Sequence, residues 1–461
     1  MNKSNKGTYL LFISIVSAMG GFLFGYDFVV IGGAKPFYEI FFGIAGSPAM
    51  QGWAMGSAIL GCLIGVMVSG SLSDRYGRKS LLIVAAMVFI VASIGTGMVN
   101  HISWFIFYRI FGGIGIGIAS NLSPMYIAEV SPAGVRGRFV SINQLTIVLG
   151  ILSAQLVNWL IADSVGAGED ILASWNGQMG WRWMFWACAA PAILFFIFVF
   201  FIPESPRWMA TKLHYERAML TFTRIGGEEY ARNELNEIQA TVQQERQKAG
   251  FGMLFKGRMP KILLIGVVIA IFQQWCGINV IFNYAQEIFS KAGYGVSDIL
   301  FNIVVTGITN VIFTFVGMYL VDRMGRRALL LFGAAGLACI YAVIGACYYY
   351  DIKGLALLCL VVAAIACYAM TLAPITWVVI SEIFPNRLRG MAMGVATFAL
   401  WAACFVLTYT FPLLNKGFGA YGTFWLYGLI CVLGFIFIKK TLPETKGKSL
   451  EEIEKTLNVE T

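Results

Sequence analysis

Twelve apolar stretches, each of about 20 residues or more, leave this chain little freedom of fold class. Each is long enough to cross a hydrocarbon core of ~30 Å as a helix. Lipid offers no hydrogen bonds to a backbone, so a spanning segment of this length must satisfy itself as a helix. The stretches read as 8–34, 52–72, 80–100, 103–127, 139–162, 182–202, 261–289, 298–321, 328–350, 355–381, 390–412 and 418–440. Composition agrees, with 58% hydrophobic and 12% charged residues in 461, against about 25% charged in soluble chains. The first stretch is too long for a cleaved signal, carries Asp27, and has no small-residue cleavage site after a short apolar core. The expected fold is an all-α membrane protein.

A net charge of +9 could suggest nucleic acid, but its distribution excludes that use. Most of the 33 Lys and Arg fall in the two tails and the even-numbered connections, and Arg109 alone reads as lying inside a span away from its ends. Such an excess marks the cytoplasmic side, so both termini are expected there. All nine Cys lie in apolar segments without a CxxC pattern and read as small buried hydrophobes. His101 and His214 are the only histidines, both outside the spans. No nucleophile–base or metal constellation emerges, so neither an enzyme nor a cofactor nor a metal is expected.

One connection is long. It gives the expected organisation: a six-helix bundle over 1–202, a cytoplasmic helical linker over 203–260, a second six-helix bundle over 261–440, and a cytoplasmic tail over 441–461. Within the linker, Tyr215–Ile225 and Glu229–Lys248 read as short helices of mixed charge. The two bundles repeat each other. Asp74-Arg75-Tyr76-Gly77-Arg78 follows the second span, and Asp322-Arg323-Met324-Gly325-Arg326 the eighth. Glu129 precedes Arg136-Gly137 as Glu382 precedes Arg389-Gly390; Pro203-Glu204-Ser205 closes the sixth span as Pro443-Glu444-Thr445 closes the twelfth. Motifs in one order at similar offsets mean duplication, and six spans per copy give both copies one orientation. This is a parallel-repeat plan used by secondary transporters, with a substrate site near the midplane.

The seventh span carries the densest polarity. Phe272-Gln273-Gln274-Trp275-Cys276-Gly277-Ile278-Asn279 places three carboxamides where hydrocarbon is expected. At about 100° per residue, Gln273, Gln274 and Asn279 point to about 0°, 100° and 240°. One straight helix cannot converge them, so a break near Cys276-Gly277 is expected. Amides both donate and accept, which suits a hydroxyl-rich uncharged ligand; interhelical hydrogen bonds are the plainer use. Asp27 and Arg109 read at equal depth, each roughly 10 Å below one surface. Opposite charges at one depth are expected to pair, either as a fixed packing bridge or as a proton switch.

By these residues the chain resembles the sugar porter family of the major facilitator superfamily from end to end. The resemblance rests on Gly25-Tyr26-Asp27, the Asp74–Arg78 motif, Tyr108-Arg109, Ser123-Pro124-Met125-Tyr126-Ile127-Ala128-Glu129, Pro203-Glu204-Ser205-Pro206-Arg207-Trp208, Gln273-Gln274 with Gly277-Ile278-Asn279, and Pro443-Glu444-Thr445-Lys446-Gly447. Within the family it is similar to D-xylose/proton symporters and to facilitative glucose transporters. The resemblance implies twelve helices in two pseudo-symmetric bundles and import of a monosaccharide, first D-xylose, with a proton. It further implies a monomer in a bacterial inner membrane. It assigns proton coupling to Asp27, with Arg109 beside it, and sugar contact to Gln144, Gln273, Gln274, Asn279, Asn310 and Trp377. Gln144 and Trp377 read nearer the cytoplasmic ends, which a longer fifth span and a break around Ala373-Pro374 would correct. The resemblance also implies a cytoplasmic charge gate of Asp74, Arg78, Glu129, Arg136, Glu204, Asp322, Arg326, Glu382, Arg389 and Glu444, with Arg207 nearby. Surface ion pairs and positive-inside topology account for the basic members equally well. The chain departs from the family at Leu400 and Cys404, where amides are usual, which weakens the xylose assignment. A uniporter is the nearest rival, disfavoured by Asp27; a transporter-like sensor is disfavoured by the short tail.

Overall fold

The computed structural model describes residues 3–132, 135–163, 170–244, 251–291, 296–385, 388–444 and 446. Eleven helical stretches among them are long and apolar enough to span a bilayer. The last, Arg389–Thr441, carries two expected spans joined across Gly419, whose φ of 69° and ψ of 176° interrupt the helix. The twelve expected passes are therefore all present.

In chain order the helices are α1 (Lys3–Phe41), α2 (Pro48–Tyr76), α3 (Arg78–Met98), α4 (Ile102–Val130) and α5 (Arg136–Ile161). A π-helical turn, Asn176–Gly180, leads into α6 (Trp181–Ala187) and α7 (Ala189–Val199). The linker holds α8 (Pro206–Thr211), α9 (Tyr215–Gly226) and α10 (Glu228–Gln244). Then come α11 (Met259–Trp275), α12 (Ile278–Asn283), α13 (Ala285–Lys291), α14 (Val296–Met324), α15 (Arg326–Tyr349), α16 (Leu355–Met370), α17 (Leu372–Ile383) and α18 (Arg389–Thr441).

The chain forms two compact units. One comprises Met1–Phe28, Ser57–Ala154 and Arg182–Lys248. In it α3 packs on α4 and α7, and α8, α9 and α10 pack on one another. Small residues make the α2–α4 approach: a Cβ added to Gly61 would lie 2.9 Å from the Gly113 Cα. The linker helices bury their own apolar cluster of Met209, Ala218, Phe222, Ala231, Leu235 and Ile238. The other unit comprises Val29–Gly56, Gln155–Trp181 and Ala249–Thr461, with α18 packed on α11 and α15.

Three expectations shift. The first span was expected to end at residue 34, before Pro36; α1 instead continues through Pro36 to Phe41. Neighbouring groups in a membrane protein can compensate the amide that proline lacks. The fifth span starts at Arg136 rather than 139, which sets Gln144 further into its helix. The tenth span breaks at Thr371, with φ of −126° and ψ of −88°, slightly before Ala373-Pro374. Pro374 then sits in the first turn of α17, where its missing N–H costs nothing.

The repeated Gly-Arg motif has a backbone cause. Gly77 and Gly325 precede α3 and α15 with φ of 95° and 91° and extended ψ, a region open almost only to glycine. A Cβ on Gly77 would strike the Glu204 carboxylate, and one on Gly325 would lie 2.8 Å from that of Glu444. Gly77→Ala is therefore expected to destabilise the protein by about 1–3 kcal/mol. Denaturant unfolding in detergent micelles measures this, and an unchanged midpoint would contradict it.

Candidate functional site

Two polar centres and one charge network at the helix ends stand out. The first centre is the ion pair of α1 and α4. Arg109 Nη1 donates to Asp27 Oδ1 at 2.5 Å, with side-chain exposures of 4% and 8%. The guanidinium also lies 5.5 Å from the centroid of the Phe185 ring. Its Nε has no hydrogen-bond partner among the described residues. The pair expected from equal depth is present, within the first unit, and it is out of water.

The second centre is the broken seventh span. Gly277 takes a left-handed conformation, φ 86° and ψ −3°, between α11 and α12. A Cβ there would press into the Tyr427 ring. The break lies where the divergent amide angles require it. Its consequence is a directed hydrogen-bond chain. Asn279 Nδ2 donates to Gln274 Oε1; Gln274 Nε2 donates to Gln273 Oε1 at 2.7 Å; Gln273 Nε2 donates to the Tyr368 hydroxyl oxygen at 3.0 Å. All three amides are buried. Asn279 Nδ2 also approaches Cys404 Sγ at 3.8 Å. Leu400 and Trp401 are buried on the same helix. Trp275 Nε1 donates to the Ala403 carbonyl, and the Tyr284 hydroxyl to that of Thr408, holding both halves of the span against α18.

The other expected ligand residues are less gathered. Asn310 is buried in α14, Trp377 is 37% exposed on α17, and Gln144 is half-buried on α5 in the other unit. Two residues escaped the sequence reading. Tyr368 terminates the amide chain, and its position in an apolar run gave no sign of this. Gln155 is 1% exposed, and neither of its amide atoms has a partner among the described residues. It lies eleven residues after Gln144 on α5, about three turns along one face, a spacing visible in the sequence. Buried amides without partners are rare.

The charge network repeats in both units. Arg78 Nη2 pairs with Glu129 Oε1 at 3.0 Å, and its Nη1 with Asp74 Oδ1 at 3.1 Å. The Ser205 hydroxyl also bonds Glu129. Arg326 Nη2 pairs with Glu382 Oε1 at 3.2 Å. Glu204 and Glu444 do something the sequence did not reveal. Glu204 accepts from the backbone N–H groups of Arg78, Lys79 and Ser205, and Glu444 from those of Arg326, Arg327 and Lys446. Each carboxylate caps a helix N-terminus, where orphan donors and the helix dipole favour negative charge. Arg136 and Arg207 are exposed. The side chains of Asp322 and Arg389 lie outside the described residues, as do Thr445 and most of the expected tail.

With this geometry in view, comparison with known proteins is specific. A profile of the sugar (and other) transporter family matches residues 13–457. The arabinose-proton symporter of Bacillus subtilis is 38% identical over 456 residues, covering 99% of this chain and 96% of that one. The D-xylose-proton symporter of Escherichia coli K12 is 35% identical over 491 residues, covering 100% and 98%. Among solved structures, the inward-open xylose transporter XylE from E. coli is similar with a TM-score of 0.85 and 35% identity, over 97% of this chain and 99% of that one. The same symporter bound to 6-bromo-6-deoxy-D-glucose gives a TM-score of 0.81 at 35% identity, over 98% and 100%.

Proposed function

Because this chain belongs to the sugar (and other) transporter family, matched over residues 13–457, we propose that it imports a monosaccharide with a proton by alternating access. The observation that carries this reading is the Asp27–Arg109 pair, a titratable carboxylate held in the membrane interior by one guanidinium. Desolvation favours the protonated acid and Arg109 favours the carboxylate. A conformational change that alters their separation changes proton affinity, and that is the coupling. At 100 mV one transported charge supplies about 2.3 kcal/mol, enough for roughly 50-fold accumulation.

The sugar is held by the row of Gln273, Gln274 and Asn279, with Gln144, Asn310 and Trp377 completing the set. The row is internally satisfied, so a sugar enters by exchanging amide–amide hydrogen bonds for amide–hydroxyl ones. That exchange stays close to neutral in hydrogen-bond number and makes recognition depend on hydroxyl geometry. D-xylose is the first candidate, and arabinose belongs beside it because the relatives cited above are named for those two sugars. Cys404 and Leu400 remove two amides and so shift preference away from the xylose pattern.

The chain works as a monomer of two six-span repeats, 1–202 and 261–440, joined by the linker 203–260. It sits in a bacterial inner membrane with both termini cytoplasmic. The networks of Arg78 with Glu129 and Arg326 with Glu382 serve as the cytoplasmic gate.

Uptake of labelled xylose, arabinose, glucose and galactose into proteoliposomes, with and without a proton gradient, tests the whole reading. Asp27→Asn is expected to abolish accumulation against a gradient and to spare sugar exchange; undiminished accumulation would sink the coupling role. Gln274→Ala is expected to weaken transport affinity about 5- to 150-fold, from about 1–3 kcal/mol for unpaired hydroxyls; an unchanged half-saturation concentration argues against the sugar row. Glu382→Gln is expected to raise the inward-facing population, read by accessibility labelling from the two sides, and an unmoved ratio would count against the gate.

A further inference from the structure

We propose that Lys35, Glu39 and Glu287 form a second proton-binding site, separate from Asp27, that latches the end of α1 to α13. Lys35 is 2% exposed and fully enclosed. Its Nζ lies 3.0 Å from Glu39 Oε1, one turn on in α1, and also bonds Glu287 Oε1 of α13. It sits 5.4 Å from the centroid of the Tyr284 ring. Two carboxylates thus share one ammonium, and the trio carries one net negative charge when all are ionised.

Burying that surplus is costly, because the Lys35–Glu39 pair is already neutral and the third charge must find its stabilisation elsewhere. Neutral amides supply part of it: Gln51 Nε2 donates to Glu39 Oε2 and Asn415 Nδ2 to Glu287 Oε2, each at 3.2 Å. Glu39 Oε1 accepts no hydrogen bond of good geometry among the described residues. One proton shared by the two carboxylates removes the surplus, and the titration belongs to the cluster rather than to either residue.

A route for that proton is present. A cavity of about 330 Å³ reaches Glu287, lined by Gln51, Gln286, Ser290, Asn415 and Lys416. Lys416 is exposed, so water screens its charge. Among the described residues, the other titratable groups facing the cluster are Tyr38, whose hydroxyl bonds Met55 Sδ, and Tyr284, whose hydroxyl donates to Thr408. Both are engaged as neutral phenols. The cluster lies on the α12–α13 side of the Gly277 break, so it fastens the part of the seventh span that the break frees to move.

The sign follows from the charge count. With the latch closed, two carboxylates face one lysine, and a bound proton removes the surplus charge. With α13 withdrawn, Lys35–Glu39 remains a neutral pair and the surplus charge has left the buried cluster. Closure therefore takes up a proton, is favoured as pH falls, and is lost as pH rises. With cytoplasmic termini, as proposed above, this is the outer side, and acid outside would close it behind an entering sugar. That consequence rests on the symport reading; the proton site itself does not.

The test is infrared spectroscopy of the protein in lipid, following the carbonyl band of protonated carboxyl groups from alkaline to acidic buffer, in an Asp27→Asn background. One titrating band is expected to persist there. It is expected to vanish on adding either Glu39→Gln or Glu287→Gln, since each leaves a neutral Lys–Glu pair. The two isosteric variants guard against failure of one to fold. Lys35→Gln is expected to move the band to higher pH. Absence of the band with Asp27→Asn alone, or its survival in both Gln variants, overturns the proposal. A band that persists in the Asp27→Asn background, together with no proton-driven uptake by the unsubstituted protein, supports this site and overturns the symport reading instead.

Discussion

Everything in this structure depends on one constraint: inside lipid a polar group must find its partner within the protein. The constraint acts on side chains as strongly as on the backbone. Asp27 finds Arg109, Lys35 finds two glutamates, and Gln273, Gln274 and Asn279 line up donor to acceptor until Tyr368 ends the row. Each arrangement is stable because its alternative is an uncompensated charge or amide in a low dielectric. In the function proposed above each is also exchangeable, a proton or a hydroxyl taking the place of the internal partner. A transporter needs both properties, and the apolar surroundings supply both.

Much of this was legible from residue spacing. The diverging amide angles required a break near Gly277, and its positive φ supplies it. Equal depth of Asp27 and Arg109 required a pair, and the pair is there. What spacing could not show was the identity of partners that have no side chain. Glu204 and Glu444 looked like members of an arginine network; their acceptors serve backbone amides of α3 and α15, which are the same in every sequence.

The larger omission was the Lys35 cluster. The expected first span stops at residue 34, which leaves Lys35 and Glu39 in a connection, where charge is unremarkable. The helix runs on to Phe41 and carries both into a buried setting. Had the span been extended, an i, i+4 pair of opposite charge inside a membrane helix would have marked itself as costly and therefore purposeful. Tyr368 illustrates the opposite limit, because a tyrosine in an apolar run is expected as packing and only its hydroxyl's neighbour gives it another role.

The two glutamate caps bear on the order in which the chain is made. The donors at the start of α3 wait for Glu204, which follows the sixth span; those at the start of α15 wait for Glu444, which follows the twelfth. A nascent chain emerging from its N-terminus lacks each of these caps until the six spans of that repeat have been synthesised. The same Gly and Glu that fix a helix end thus tie the start of the third span of each repeat to the residue that follows its sixth.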